Sequence, residues 1–364
     1  MVSVVGSGLI KIDRYYEYSE KELVIEAYKD LVLKIKEMPD TIDALIVAST
    51  YSDVLSKNLM LAFKLSNKLS IKAPITFRVE NGDNGGNAIL TAYALIKSGI
   101  AKSVLLIGVD KFSDYPSKFI NDTLSYNLDN EYQYQMGITP HAYAALMMKR
   151  YMKKYGKEYE YFTKWPLKMH ENAVENPYAY LRFKVDKKTI MDSQMISEPL
   201  RLFDLAARAD GAAVVLITSD EIARKFTETP VKIDEVFSSN IPIDVANARL
   251  YSVKDVVSKI GKLNKDSVFE IHDSYSILAT LEIEELGLAE EGKGFEELEN
   301  LKVNLGGGLK ARGYPGSATA VYQLAEMYMH LVGTHPKGKA DSEKGVVLSC
   351  DDLGNSAFIA TLSR

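Results

Sequence analysis

Two glycine-rich turns, each followed directly by a helix-forming segment rich in small residues, are the features of this sequence best suited to building a reactive site. The first is Asn81-Gly82-Asp83-Asn84-Gly85-Gly86, leading into Ala88, Ala92 and Ala94. The second runs from Gly306-Gly307-Gly308 through Gly313 and Gly316 into Ser317, Ala318 and Ala320. Small residues let two helices approach closely, and helix amino ends present free N–H groups toward a shared centre. Asp83 is placed to cap its helix, because its carboxylate can accept a backbone N–H two or three residues on. Thiol and imidazole are scarce, with one cysteine, Cys350, and five histidines. A single cysteine excludes an intrachain disulfide framework and any multi-cysteine zinc or iron–sulfur site. His330 and His335 lie either side of Gly333, with Pro336 next, and are expected to face solvent rather than share a metal.

Familiar nucleotide and hydrolase signatures are missing. Gly6-Ser7-Gly8 lacks the third glycine of a dinucleotide fingerprint, and Gly308 to Gly313 continues with Tyr314-Pro315 where a phosphate loop needs Lys-Ser/Thr. No Gly-x-Ser-x-Gly elbow occurs.

The elements that must hold these turns alternate between apolar strands and amphipathic helices. Val2 to Val5, Ala44 to Ala48, Ile75 to Val79 and Val104 to Val109 read as strands, with Gly6-Ser7-Gly8 expected to end the first. Ser19 and Glu22 form a capping box ahead of a helix, and further helices are expected from about Val54 to Leu69 and from the first turn to about Ser98. Continuous apolar strands between such helices imply a mostly parallel sheet covered on both faces. Lys111 to about Arg201 is looser, with an exposed-looking helix from Ala142 to Tyr155. The rhythm then returns in Ala212 to Thr218 and repeats in Val231 to Val236, Val268 to Ile271, Val346 to Leu348 and Ala357 to Leu362. This order predicts an internal duplication: a first half in residues 1–110 plus 200–225, an insertion in 111–199, and a second half in 226–364.

With 364 residues, 46% hydrophobic and 26% charged, the chain has ample material for a core. A formal net charge of −5 makes nucleic acid a poor partner. No run approaches the roughly 20 apolar residues of a spanning helix, and no signal peptide is evident, so a cytoplasmic, non-membrane protein is expected.

Several segments together resemble the thiolase superfamily, in particular its archaeal and sterol-carrier-protein types. They are Val79 to Gly86, Asn176-Pro177-Tyr178-Ala179-Tyr180, Pro199 to Asp204 running into Asp210-Gly211-Ala212-Ala213, His272-Asp273-Ser274-Tyr275, and Asn304 to Gly307 through Gly313 to Thr319. Their order and spacing cover nearly the whole chain. The resemblance implies an α/β fold, a five-layer αβαβα sandwich of two βαβαβαββ halves, assembled as a homodimer or dimer of dimers. It also implies a coenzyme A thioester as ligand, with no tightly bound cofactor and no metal, and Gly307 and Gly308 in the thioester-binding loop.

The departures from the family pattern fall on its catalytic groups. Asp83 stands where the family has its nucleophilic cysteine, Tyr314 where it has the histidine of Gly-His-Pro, and Ser274 where the sterol-carrier type has a second cysteine. Cys350 matches none of these positions. An aspartate could form only a hydrolysis-prone anhydride, and a tyrosine with an ordinary pKa near 10 activates a nucleophile poorly at neutral pH. Ser274 is expected to cap a helix. Tyr314 fits a buried hydrogen-bonding filler and a proton-transfer group equally well. His272 and Asn304 do match, at positions that in the family bind the thioester oxygen or a catalytic water.

Three expectations follow. The first is a binding protein for acyl-CoA without cysteine-dependent turnover. Family-like retro-aldolases that use tyrosines point to the second, carbon–carbon bond chemistry through Tyr314 and His272, with a small zinc-ribbon/OB-fold partner. The third is acyl transfer through Cys350.

Overall fold

The computed structural model describes residues 1–39 and 41–364. Its strands are β1 (Val2–Leu9), β2 (Ala44–Ala48), β3 (Ile75–Val79), β4 (Ser103–Asp110), β5 (Met195–Ser197), β6 (Leu200–Arg201), β7 (Gly211–Ser219), β8 (Val231–Asn240), β9 (Val268–Glu270), β10 (Lys302–Val303), β11 (Lys344–Cys350) and β12 (Ser356–Ser363). All but the β5–β6 hairpin join one ten-stranded sheet in the order β10-β9-β11-β12-β8-β1-β7-β4-β2-β3. The order exposes the duplication. In the first half the run β3-β2-β4-β7-β1 is parallel at its first two pairings and antiparallel at its last two. The run β10-β9-β11-β12-β8 of the second half repeats that pattern pairing by pairing. The halves meet where Val2 to Val4 pair with Ile233 to Val231.

Helices separate three apolar cores, giving the expected layers. Outside the first half, α1 (Glu20–Lys34) and α2 (Leu61–Lys68) bury Leu23, Leu31 and Leu65 against Val47, Leu105 and Val214. Between the halves, α3 (Asn84–Lys97) and the Thr319–Val332 helix pack on each other and on both halves of the sheet, burying Ala88, Ala92, Val321 and Leu324. Beyond the second half, the Tyr251–Ile260 and Ser276–Glu285 helices share a core with the Pro140–Tyr155 helix of the insertion. The Ser19–Glu22 capping box forms as expected.

Several local expectations are corrected. Strand β1 continues through Gly6-Ser7-Gly8, because a side chain at Gly8 would lie 2.1 Å from the Ala27 carbonyl of α1. The glycines there admit a helix onto the strand rather than end it. Helix α2 begins at Leu61, not near Val54; Lys57 and Met60 adopt left-handed backbone (φ 50° and 57°), which interrupts any earlier helix. The Pro140–Tyr155 helix is not exposed all round, for Ala144, Met148 and Tyr151 are buried in the second-half core.

His330 and His335 are both buried and stacked, with ring centroids 4.0 Å apart. The chain reverses at Gly333 (φ 83°) and folds His335 back over the helix that carries His330. The stack sits beside a buried ionic chain in which Arg312 Nη1 donates to Glu326 Oε2 at 2.5 Å and lies 3.5 Å from Glu270.

Candidate active site

The amino ends of α3 and the Thr319–Val332 helix converge, as the paired glycine turns imply. A side chain at Gly85 would come within 2.7 Å of the Ala320 Cβ, so glycine permits the approach. Asn84 Nδ2 donates to Ser317 Oγ at 3.0 Å, and the Thr50 hydroxyl contacts both residues. Asp110 holds this junction, accepting from Ser317 N at 2.8 Å, Tyr51 N at 3.1 Å and Ser49 Oγ at 2.9 Å. Burial nevertheless pushes its carboxyl up to about 7.

Asp83 caps α3, as its position in the sequence suggests. Oδ1 accepts from Gly86 N at 3.1 Å and from Ser349 Oγ at 2.9 Å, while Oδ2 is buried without a partner. Burial raises its pKa to about 6, opposed by the His272 charge and by these two donors. A carboxyl so placed titrates near neutrality and is tied to the helix end.

Across the cleft, His272 Nε2 lies 3.5 Å from Asp352 Oδ1, and its Nδ1 is buried with no partner. The His272 ring meets Tyr314 edge-on, centroids 5.9 Å apart. Burial raises the Tyr314 phenol, and the adjacent Asp352 carboxylate raises it further. Burial would also raise Asp352, but hydrogen bonds from His272 and Tyr314 hold it below the ordinary carboxylate range. Tyr314, Asp352 and His272 thus cluster beside Asp83. All four line one narrow cleft together with Cys350.

Cys350 belongs to this cleft although the sequence reading left it outside. Its thiol donates to Glu282 Oε1 at 3.2 Å, and burial together with that carboxyl pushes the thiol up. Burial likewise raises Glu282 well above its ordinary value. A thiolate is disfavoured on both counts.

Ser274 does not cap a helix. The next helix opens at Ser276, and the Ser274 hydroxyl is buried without a partner, on a second narrow passage shared with Tyr314 and Asp352. Asn304 stands behind the cleft, with Oδ1 accepting from Ile271 N at 2.8 Å and Nδ2 donating to Asp273 Oδ1 at 2.8 Å. Its left-handed backbone (φ 43°) lets the chain turn into Gly307 and Gly308. The loop after these glycines wraps Asp273, whose carboxylate accepts from Leu309 N at 2.8 Å and Lys310 N at 3.2 Å. Trp165 Nε1 also donates to Asp273, at 2.9 Å. Asn304, Gly307 and Gly308 therefore shape the wall that carries His272, and none of them lines the cleft.

The second passage, lined by Arg208, His141 and Tyr275, leads from Tyr314 to a chamber of about 770 Å³. That volume suits a drug-sized or larger ligand. Phe112, Phe183, Leu202 and Phe203 supply apolar wall, and Arg14, Arg208 and Lys310 supply charge.

Residues 2–221 match the family model for the thiolase N-terminal domain, and residues 258–364 match that for a thiolase C-terminal domain-like region. The chain belongs to the thiolase family. It is 28% identical over 382 residues to an acetyl-CoA acetyltransferase of Methanothermobacter thermautotrophicus, covering 100% of this chain and 99% of the relative. A 17-hydroxy-3-oxo-4-pregnene-20-carboxyl-CoA lyase of Mycobacterium tuberculosis is 24% identical over 352 residues, 90% of this chain and 88% of that one. Among solved structures, the Ltp2-ChsH2(DUF35) aldolase superposes with a TM-score of 0.81 at 18% identity, covering 100% of this chain and 98% of the other, a likeness of fold. This thiolase-family chain has the thiolase fold, and among its described residues no helix is long and apolar enough to cross a membrane.

The sequence reading missed Asp352, Glu282, Arg208 and His141. A signal existed for the first: Cys350-Asp351-Asp352 puts two acids straight after an apolar strand, where burial makes a carboxylate expensive unless it is used.

Proposed function

We propose that this protein binds a coenzyme A thioester without forming a cysteine acyl-enzyme. The observation that carries the reading is the arrangement of the cleft. The helix end holds Asp83 as a cap, and the one thiol available, Cys350, keeps its proton beside Glu282. A chamber of about 770 Å³, which shares Arg208 and His141 with the passage beside Tyr314, gives room for an extended thioester. Calorimetric titration with CoA and acetyl-CoA, with intact-mass detection on the same sample, tests the reading. Binding without an adduct is expected; an acetyl adduct discharged by a second thioester would refute it.

A second reading, cleavage of a carbon–carbon bond in a β-hydroxyacyl-CoA, is favoured by one specific arrangement, the Tyr314 phenol and the Asp352 carboxylate lining the same cleft. Tyr314 would take the β-hydroxyl proton while passing its own to Asp352, which His272 orients. His272 and the helix N–H groups would hold the enolate oxygen. The resemblance to a CoA lyase and to an aldolase complex supports screening such substrates and a small zinc-ribbon/OB-fold partner. Tyr314→Phe should abolish cleavage while leaving CoA binding intact.

Homodimerisation belongs to the same proposal. Strand β3 is the sheet's free edge, and the neighbouring Leu59, Met60 and Phe63 are exposed apolar residues beside it. Light scattering of wild type and Phe63→Lys should show a dimer weakened by the charge.

A further inference from the structure

The charge lining the chamber is one-sided. Arg14, Arg208 and Lys310 face it, and no aspartate or glutamate is among its described lining residues. Arg208 has the most informative place of the three. Its backbone bridges that of Tyr314, with Tyr314 N donating to Ala207 O at 2.8 Å and Ala209 N to Tyr314 O at 3.2 Å. The side chain lines both the chamber and the passage to Tyr314, and so marks the inner end where an acyl group would lie.

Its partners are neutral. One terminal nitrogen donates to Asn121 Oδ1 at 2.9 Å and the other faces His141 Nε2 at 3.3 Å. His141 adds no charge, because burial and Arg208 itself lower its pKa to about 4. With Nε2 facing the guanidinium, the imidazole proton sits on Nδ1, which donates to the Tyr275 hydroxyl at 2.8 Å. The Tyr275–His141 pair therefore fixes the plane of Arg208 without neutralising it. Among the described residues no carboxylate lies within ion-pair distance of Arg208; Asp352, whose ionised form the Arg208 charge favours from farther off, has His272 as its nearer partner. Lys310, by contrast, is spent inside the wall, donating to the Leu205 carbonyl at 2.7 Å.

A half-buried guanidinium held rigid by neutral acceptors is built to meet a planar anion, for which its fork of donors is suited. We propose that the acyl group of the thioester carries its own carboxylate, which Arg208 binds, so that the ligand class is a dicarboxylic acid monothioester. This rests on the reading that the chain binds CoA thioesters.

The test titrates glutaryl-CoA and pentanoyl-CoA, which share the CoA portion and differ at the end of the acyl chain, into wild type, Arg208→Met and Arg208→Lys. Wild type should bind glutaryl-CoA at least about tenfold tighter, the scale of a charge-assisted hydrogen bond. Arg208→Met should erase that preference, Arg208→Lys should keep part of it, and pentanoyl-CoA should report whether the chamber remains folded. Equal affinity of wild type for the two thioesters would overturn this inference and leave thioester binding standing. Equal weakening of both by Arg208→Met would assign Arg208 to the CoA phosphates and likewise overturn it. Failure of wild type to bind either would overturn the thioester reading itself.

Discussion

Replacing Asp83 by asparagine should stabilise the protein at alkaline pH and leave it nearly unchanged at acidic pH. Asparagine caps a helix as well as aspartate does, keeps an oxygen for Gly86 N, and matches the protonated carboxyl in shape. The ionised carboxylate is what burial penalises. Its folded-state pKa of about 6 lies above the ordinary aspartate value of 3.8, so protonation favours the native state. The contribution is fully present below about pH 4 and is lost as pH rises through about 6. Two units of displacement correspond to roughly 3 kcal/mol. Urea denaturation of wild type and Asp83→Asn at pH 4, 6 and 8 reads this directly. The variant should gain on wild type by about 2–3 kcal/mol between pH 4 and pH 8, with the midpoint of the change at about pH 5 and most of it complete by pH 6. A stability difference that does not vary with pH, or that moves in the wild type's favour as pH rises, would refute the claim that Asp83 is a buried carboxyl with a raised pKa.

Four other perturbations probe three separate parts of the architecture. Cys350 should resist alkylation by iodoacetamide in the native protein at pH 8 and react once urea unfolds it, because its thiol is enclosed and hydrogen-bonded to Glu282; rapid native labelling would contradict that placement. Arg312→Met should destabilise by about 3–5 kcal/mol in denaturant titrations, since it strands a buried Glu326 charge. Glu326→Gln should cost less, because Glu270, which burial and Glu326 now keep largely protonated, can ionise and pair with Arg312 instead. Gly85→Ala should lower stability by about 1–3 kcal/mol despite a better helix propensity, because the new methyl meets Ala320 Cβ at 2.7 Å and the Ser317 carbonyl at 2.8 Å.

What the sequence revealed was local or repeated. The Ser19–Glu22 box, the Asp83 cap and the paired glycine turns each depend on neighbours within a few residues, and each forms. Strand rhythm exposed the duplication because both halves obey one pairing pattern. Features set by distant contacts stayed hidden. Nothing near His335 in the sequence shows that Gly333 turns it back onto His330, and nothing near Cys350 shows that Glu282, 68 residues away in the chain, receives its thiol proton. Ser274 failed as a cap for a similar reason: the antiparallel bridge of Tyr275 to Leu205 delays the helix start past it. Lys57 and Met60 turned left-handed within a segment whose composition suits a helix, which shortened α2.

The acid groups around the cleft divide in a way that bears on its chemistry. Burial raises Asp83, Asp351 and Glu282 above their ordinary values, whereas Asp352 is kept below its own. The carboxylate held most firmly in its ionised form is therefore the one beside His272 and Tyr314. A proton leaving a substrate hydroxyl through Tyr314 would find its acceptor there, with His272 able to share the charge. Cys350 lies among groups that raise its pKa, for burial disfavours a thiolate and the Glu282 and Asp351 carboxyls disfavour it further. Restoring a nucleophile at one position would leave that field in place. The electrostatics of the whole cleft, rather than one substituted side chain, weigh against a thiolate there.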